Sequence, residues 1–238
     1  MDKNDENFKP TILFEDNHLL VVVKPFDMPV QEDESKDPDL LNYLKKYLVE
    51  KYDKPGDAYL GLVHRLDRPT GGVMVFAKTS KAAARISESI RDGSFDKRYF
   101  AVVTGVPREK KDRLVHFLKK NEEKNIVSVV PMLTEGAKRA ELDYNVLQSK
   151  EGVSLLGIKL LTGRGHQIRV QMSVIGNPLV GDVKYGYKGK TPVQLALWAV
   201  ELRFPHPVSG ETLVFRVYPP EDTAPWDLFD IESLLSLK

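Results

Sequence analysis

Apolar positions in this chain fall mostly into short runs of four to seven residues cut by charged turns. Ile12-Leu13-Phe14 and Leu19-Leu20-Val21-Val22-Val23 flank Glu15-Asp16-Asn17-His18, which predicts two strands around 11–14 and 19–23 joined by a turn. Residues 31–39 are acidic and polar and read as a loop. Leu40, Leu41, Leu44, Tyr47 and Leu48 recur at helical spacing, predicting a helix to about Tyr52 that Lys54-Pro55-Gly56-Asp57 ends. Val73 to Lys78 reads as a strand, after which Thr79 or Ser80 can cap a helix over 81–91. Lys97 to Gly105 reads as a buried strand. From Leu114 to Leu161, β-prone stretches alternate with charged turns such as Lys119-Lys120-Asn121-Glu122-Glu123-Lys124. Ile168, Met172 and Ile175 mark a short amphipathic helix from about Gly165 to Ile175, stopped by Gly176 and Pro178. Val193–Phe204 and Thr212–Tyr218 complete the strands. Trp226 to Leu237 is expected to form a closing helix with Leu228, Ile231, Leu234 and Leu235 on one face. Strands and helices do not alternate as βαβ units. The expected class is therefore α+β, a mixed, largely antiparallel, bent sheet flanked by helices. Residues 1–10 are read as a flexible N-terminus and 11–238 as one domain.

Composition narrows the function. The chain has 238 residues, 42% hydrophobic and 29% charged, the balance of a globular protein. It holds no cysteine, which excludes disulfides, thiolate catalysis and cysteine-ligated zinc and fits a reducing compartment. No apolar run approaches the ~20 residues that span a bilayer, and the acidic N-terminus has no signal-peptide core, so a cytoplasmic protein is expected. Net charge is +1, but it is unevenly spread: −6 over 1–57, +11 over 58–218 and −4 over 219–238. The positive middle segment suits a face that meets phosphates.

That segment contains two chemical candidates. In His64-Arg65-Leu66-Asp67-Arg68-Pro69-Thr70-Gly71-Gly72 a single carboxylate sits between two arginines, in a tight turn before a strand. A carboxylate flanked by cations stays ionised, as a carboxylate nucleophile must. Read locally, the same residues also fit an ordinary surface ion-pair loop. In Thr162-Gly163-Arg164-Gly165-His166-Gln167-Ile168-Arg169, three basic side chains crowd a helix start, where they could hold a phosphate or pair with a buried carboxylate. The five histidines lack metal-ligand spacing, so no metal site is expected. A kinase lacks its Asp-Phe-Gly and glycine-rich loop here, a P-loop would need glycine at Lys184, and Gly-x-Ser-x-Gly is absent.

Taken together, these segments resemble the RluA-type RNA pseudouridine synthases over nearly the whole chain. The resemblance rests on the opening strand pair through Lys24-Pro25 and on His64-Arg65-Leu66-Asp67 with Thr70 and Gly72. It continues in Lys97-Arg98-Tyr99-Phe100-Ala101-Val102-Val103-Thr104-Gly105 and in Gly163-Arg164 with His166-Gln167-Ile168-Arg169, Gly176, Pro178, Gly181-Asp182 and Tyr185-Gly186. It ends in Leu195-Ala196-Leu197 with Phe204, His206 and Pro207. Asp27, Gly71, Gly165, Gln171 and Trp198 depart from the family pattern, none at the expected catalytic position.

The resemblance implies an isomerase that needs no cofactor and acts on RNA, either tRNA or large-subunit ribosomal RNA, as a monomeric bare catalytic domain with no separate N-terminal RNA-binding domain. Asp67 would be the catalytic carboxylate. Tyr99 would stack on the uracil and is a candidate to take its C5 proton, and Arg169 would pair with Asp67. Arg65 would fill the gap left by the extruded base or touch the backbone, and Leu195 and Leu197 would wall the uracil. Arg164, His166 and Gln167 would contact RNA. His64 and His166 also read as loop-shaping residues bonded to backbone, and His206 as a turn residue. Residues 106–150, rich in Lys and Arg, are the candidates for substrate-specific contacts. The alternative is an RNA-binding or assembly factor on the same scaffold that has lost its activity.

Overall fold

A computed structural model describes residues 9–189 and 193–236. Its first half runs β1 (Thr11–Glu15), β2 (Leu19–Lys24), α1 (Leu40–Lys51), β3 (Gly61–Leu62), β4 (Gly71–Ala77), α2 (Ser80–Asp92) and β5 (Asp96–Thr104). Then follow β6 (Lys111–Asn121), β7 (Ile126–Val129), β8 (Lys138–Lys150), β9 (Val153–Leu160), α3 (Gln167–Val174), β10 (Leu197–Pro205), β11 (Thr212–Arg216) and α4 (Ile231–Ser236). The class is α+β, and the strand pairs detailed below are antiparallel. No helix among the described residues is long and apolar enough to cross a membrane. The chain divides into two compact units, Met1–Asp96 with Ala199–Val217 and Lys97–Trp198 with Tyr218–Lys238.

In the first unit β2 lies between β1 and β4, with Leu19 opposite Ala77 and Lys24 opposite Gly72. Every residue of β4 is buried. Leu19, Val21, Val73 and Val75 meet Ile86 of α2 and Phe95, Leu202 and Phe204 in one apolar cluster. The helix ends follow local chemistry: Asp39 caps α1 by accepting from Asn42 N–H, Thr79 caps α2 by accepting from Ala82 N–H, and left-handed Gly93 ends α2. Gly72 has φ +119°, and a Cβ there would lie 2.3 Å from the carbonyl oxygen of Ala199. Only glycine lets β4 approach β10 this closely.

The second unit runs β5–β9–β8–β6–β7 in spatial order. Lys97 pairs with Leu160, Leu142 with both Leu160 and Leu114, and Leu118 with Val129. Helix α3 rests on β6 and β7. It begins at Gln167 rather than Gly165, because His166 takes the left-handed conformation, φ 53°, which no helix interior admits. Strand β10 likewise begins at Leu197 and not at Val193. Over the preceding residues the backbone bonds to distant segments instead, Ala196 N–H to Val180 O and Val102 N–H to Ala196 O. The expected closing helix is broken. A 3-10 turn over Trp226–Leu228 gives way to extended Phe229, and Asp230 then accepts from Ser233 N–H to start α4. Trp226, Phe229 and Ile231 are all buried, a spacing that a single helix face cannot deliver. Leu237 and residues 1–8 of the expected flexible N-terminus lie outside the described residues.

One ion cluster joins α1 to the first sheet. Glu15 receives Lys51, Lys78, Tyr47 and Tyr52 on its two carboxylate oxygens. Burial pushes its carboxyl up, but these four hydrogen bonds outweigh it and hold the pKa at about 2. A carboxyl held below its free value of 4.5 contributes stability that is complete above pH 4.5 and lost as pH falls towards 2. Glu15→Gln should therefore unfold in urea with a shallower dependence on pH across that window. An unaltered acid profile would show that the cluster contributes nothing.

Candidate active site

Asp67 sits in a turn of the first unit whose shape is fixed from below. Thr70 N–H donates to Asp67 O at 2.9 Å, closing a tight turn across Arg68-Pro69. Beneath it lies Lys24, fully buried at the end of β2. Its ammonium donates to Arg68 O at 2.9 Å, Met28 O at 2.7 Å and Pro25 O at 2.8 Å. Burial pushes its pKa down to about 7, against the pull of the Asp27 and Asp67 carboxylates. Three carbonyls at these distances match the three protons of an ammonium, which argues that the charge is kept. A lysine closing the apolar run Leu-Leu-Val-Val-Val was the signal for this role, and sequence reading passed over it. Asp27, a departure from the family pattern, adopts φ 56°, a conformation glycine takes freely and aspartate tolerates.

The flanking residues divide. Arg65 is exposed. Arg68 donates to Asp37 at 2.6 Å and Ser35 at 3.0 Å. Its partners thus lie in the acidic 33–37 loop. His64 accepts from Val75 N–H at 3.1 Å and lies against Phe95, a loop-shaping role as expected. His206 accepts the N–H groups of Val208 and Ser209, as a turn residue, and also meets Asp16 at 2.9 Å.

The second unit gathers the other candidates. Tyr99, in β5 opposite Ile158, is buried. Nearby Lys97 has its pKa lowered by burial. Arg169, in the first turn of α3, is 6% exposed and grips Asp182 with two parallel bonds, Nε to Oδ2 at 2.7 Å and Nη2 to Oδ1 at 2.8 Å. Asp182 is itself buried, so each charge offsets the desolvation of the other. The Arg169 guanidinium carbon lies 5.0 Å from the Tyr185 ring centroid, and the Tyr185 hydroxyl is 2.6 Å from His166 Nδ1. His166 Nδ1 thus bonds a side chain. Asp182 and Tyr185 were visible only as motif letters, since nothing in their spacing announces a partner for Arg169.

The remaining candidates have structural surroundings. Gln167 is 2% exposed. Its amide accepts from Thr162 Oγ1 and Arg164 N–H and donates to Glu141 O, which pins the 162–167 loop. Arg164 is exposed, its Nε bonded to Arg139 O. Leu195 and Leu197 are buried. Gln171, another departure, donates to Leu114 O and Ala140 O from a fully buried position. No group of three or more His, Cys, Asp or Glu among the described residues could hold a metal ion.

A family model for RNA pseudouridylate synthase matches residues 18–174, the span that carries Asp67, Tyr99 and Arg169. The ribosomal large subunit pseudouridine synthase D of Zymomonas mobilis is 36% identical over 223 residues, covering 89% of this chain and 69% of the relative. The chain belongs to the RNA pseudouridine synthase family. An uncharacterized RNA pseudouridine synthase of Helicobacter pylori is 30% identical over 90% of this chain and 68% of its own length. The fold is also that of the human RNA pseudouridylate synthase domain containing 4, with a TM-score of 0.74 and 89% of each chain covered at 24% identity.

In this pseudouridine synthase, Lys24 offers a direct test of how the Asp67 turn is held. Lys24→Met would leave three carbonyls without their donor and should lower stability by about 2–4 kcal/mol in urea unfolding. An unchanged unfolding midpoint would mean that water or another donor replaces the ammonium.

Proposed function

We propose that the chain converts one uridine of a structured RNA into pseudouridine with Asp67 as the catalytic carboxylate, and that the RNA is large-subunit ribosomal RNA. The observation that carries the reading is the pinned Asp67 turn within the segment matched by the synthase family model. The choice of RNA is supported by relatives named as ribosomal large subunit synthases, with tRNA the other RNA to be tested.

The reaction breaks the bond from uracil N1 to ribose C1′, turns the base, and joins C5 to C1′. The C5 proton leaves and N1 ends with a proton, so atoms and electrons balance without cofactor or redox partner. A stacked uridine must first leave its helix, and Arg65, exposed beside the Asp67 turn, fills the place it vacates. Tyr99 stacks on the uracil, Leu195 and Leu197 enclose it, and Arg169 is the cation that the family resemblance implies for keeping the catalytic carboxylate ionised. Arg164 and the exposed Lys119 and Lys120 of the β6–β7 hairpin meet phosphates. The enzyme acts as a monomer in the cytoplasm, where its lack of cysteine suits a reducing compartment.

Two experiments test this reading. Pseudouridine is mapped in ribosomal and transfer RNA of cells lacking the gene, complemented by wild type or by Asp67→Ala. One modified position should vanish and return only with wild type, with Asp67→Ala slower in vitro by at least about 1000-fold. Complementation by Asp67→Ala would leave an RNA-binding or assembly role. Separately, Lys119→Glu with Lys120→Glu should weaken RNA binding and flatten its log–log salt dependence by about 1–2. An unchanged slope removes the hairpin from the interface.

A further inference from the structure

Tyr185 lies in a 3-10 turn, Val183–Tyr185, that joins three parts of the second unit. The ring lies against the Arg169 guanidinium, and the same turn is preceded by Asp182, the carboxylate that grips Arg169. The hydroxyl accepts the backbone N–H of Val127 at 3.0 Å. The same hydroxyl lies 2.6 Å from His166 Nδ1. Next to it, Lys184 Nζ donates to Asn125 O at 3.2 Å, in the turn between β6 and β7. The hairpin is thus tied to the 183–185 turn at two points, Val127 and Asn125.

The position of the hydroxyl is informative. The ring packs among Leu118, Val127, Ala140 and Val170, a setting that phenylalanine would fill equally well. Strand β7 ends the spatial order of this unit, so the Val127 N–H needs an acceptor from outside the ladder, and the tyrosine oxygen supplies it. One side chain therefore holds the edge of a lysine-bearing hairpin with its oxygen and a guanidinium with its ring face.

We propose that Tyr185 is a positioning residue with two separable roles, its hydroxyl holding the β6–β7 hairpin that seats RNA and its ring holding the orientation of Arg169. The proposal rests on the reading of the chain as an RNA-modifying enzyme in which Arg169 serves Asp67. It separates two functions of one residue: the hydroxyl governs how well the hairpin is presented to RNA, and the ring governs the guanidinium.

The test compares wild type, Tyr185→Phe and Tyr185→Leu as full-length proteins, with large-subunit ribosomal RNA and tRNA transcripts as substrates. Tyr185→Phe should raise KM about five-fold, the worth of one hydrogen bond, while kcat stays within about two-fold. Tyr185→Leu should lower kcat by about tenfold as well, since the guanidinium loses the ring. Amide hydrogen exchange at Val127 reads the tie without any turnover and should quicken in Tyr185→Phe. Unchanged Val127 exchange or an unchanged KM in Tyr185→Phe overturns the proposal. Equal losses of kcat in both variants, with a matching fall in thermal stability, overturn it too, because packing alone would then account for the residue. Wild type that forms no pseudouridine on either RNA overturns the functional reading instead, and the Val127 exchange then still decides whether the hydroxyl holds the hairpin.

Discussion

An ammonium buried without a carboxylate in direct contact is an expensive thing to fold around, and the turn that carries Asp67 is built on one. Lys24 enters the interior at the end of β2 and is satisfied by three main-chain oxygens, one of them on the residue that follows Asp67. Such an arrangement constrains backbone rather than side chain. The carbonyls of Pro25, Met28 and Arg68 must converge on one point, so the segment after β2 and the Asp67 turn are placed by the same atom. Helix α1 continues the chain of constraints, since Leu40 N–H and Leu41 N–H bond to Pro29 O and Val30 O just beyond. Had the same turn been held by side-chain ion pairs at the surface, solvent and salt would loosen it.

The second unit solves a similar problem with a different device. Arg169 is nearly as buried, but its partner is a charge, and two parallel bonds fix the plane of the guanidinium as well as its place. A point-like ammonium is suited to gathering carbonyls, whereas a planar fork is suited to holding a direction. The two buried cations thus serve separate ends, one shaping a loop and the other aligning a group.

How much of this could be read from letters alone depended on whether the cause was local. The strand pair β1–β2, the all-buried β4 and the Thr79 cap were legible because periodicity and capping act within a few residues. The start of α3 was misplaced because His166 is left-handed, and its ring partner Tyr185 lies nineteen positions away in sequence. The closing helix was overextended because Asp230 offers a cap that competes with continuation, and a pattern of leucines does not reveal it. Within the site, Asp67 and Arg169 stood out by their neighbours. Lys24, Asp182 and Tyr185 did not, since their work is done through contacts that only the folded chain brings about. The partners of Arg68 in the 33–37 loop were hidden for the same reason.

Gly72 has a further implication. Backbone atoms of Ala199 occupy the space where any side chain would begin, so this position admits a single letter as strictly as the carboxylate proposed for catalysis, and does so for packing alone. A mutational scan of this enzyme would score the two alike, and intolerance to replacement would not distinguish the residue that performs the reaction from the one that lets two strands meet. Chemical rescue would distinguish them: a small exogenous acid could in principle stand in for a lost carboxylate, but nothing can be added to make room for an atom that does not fit.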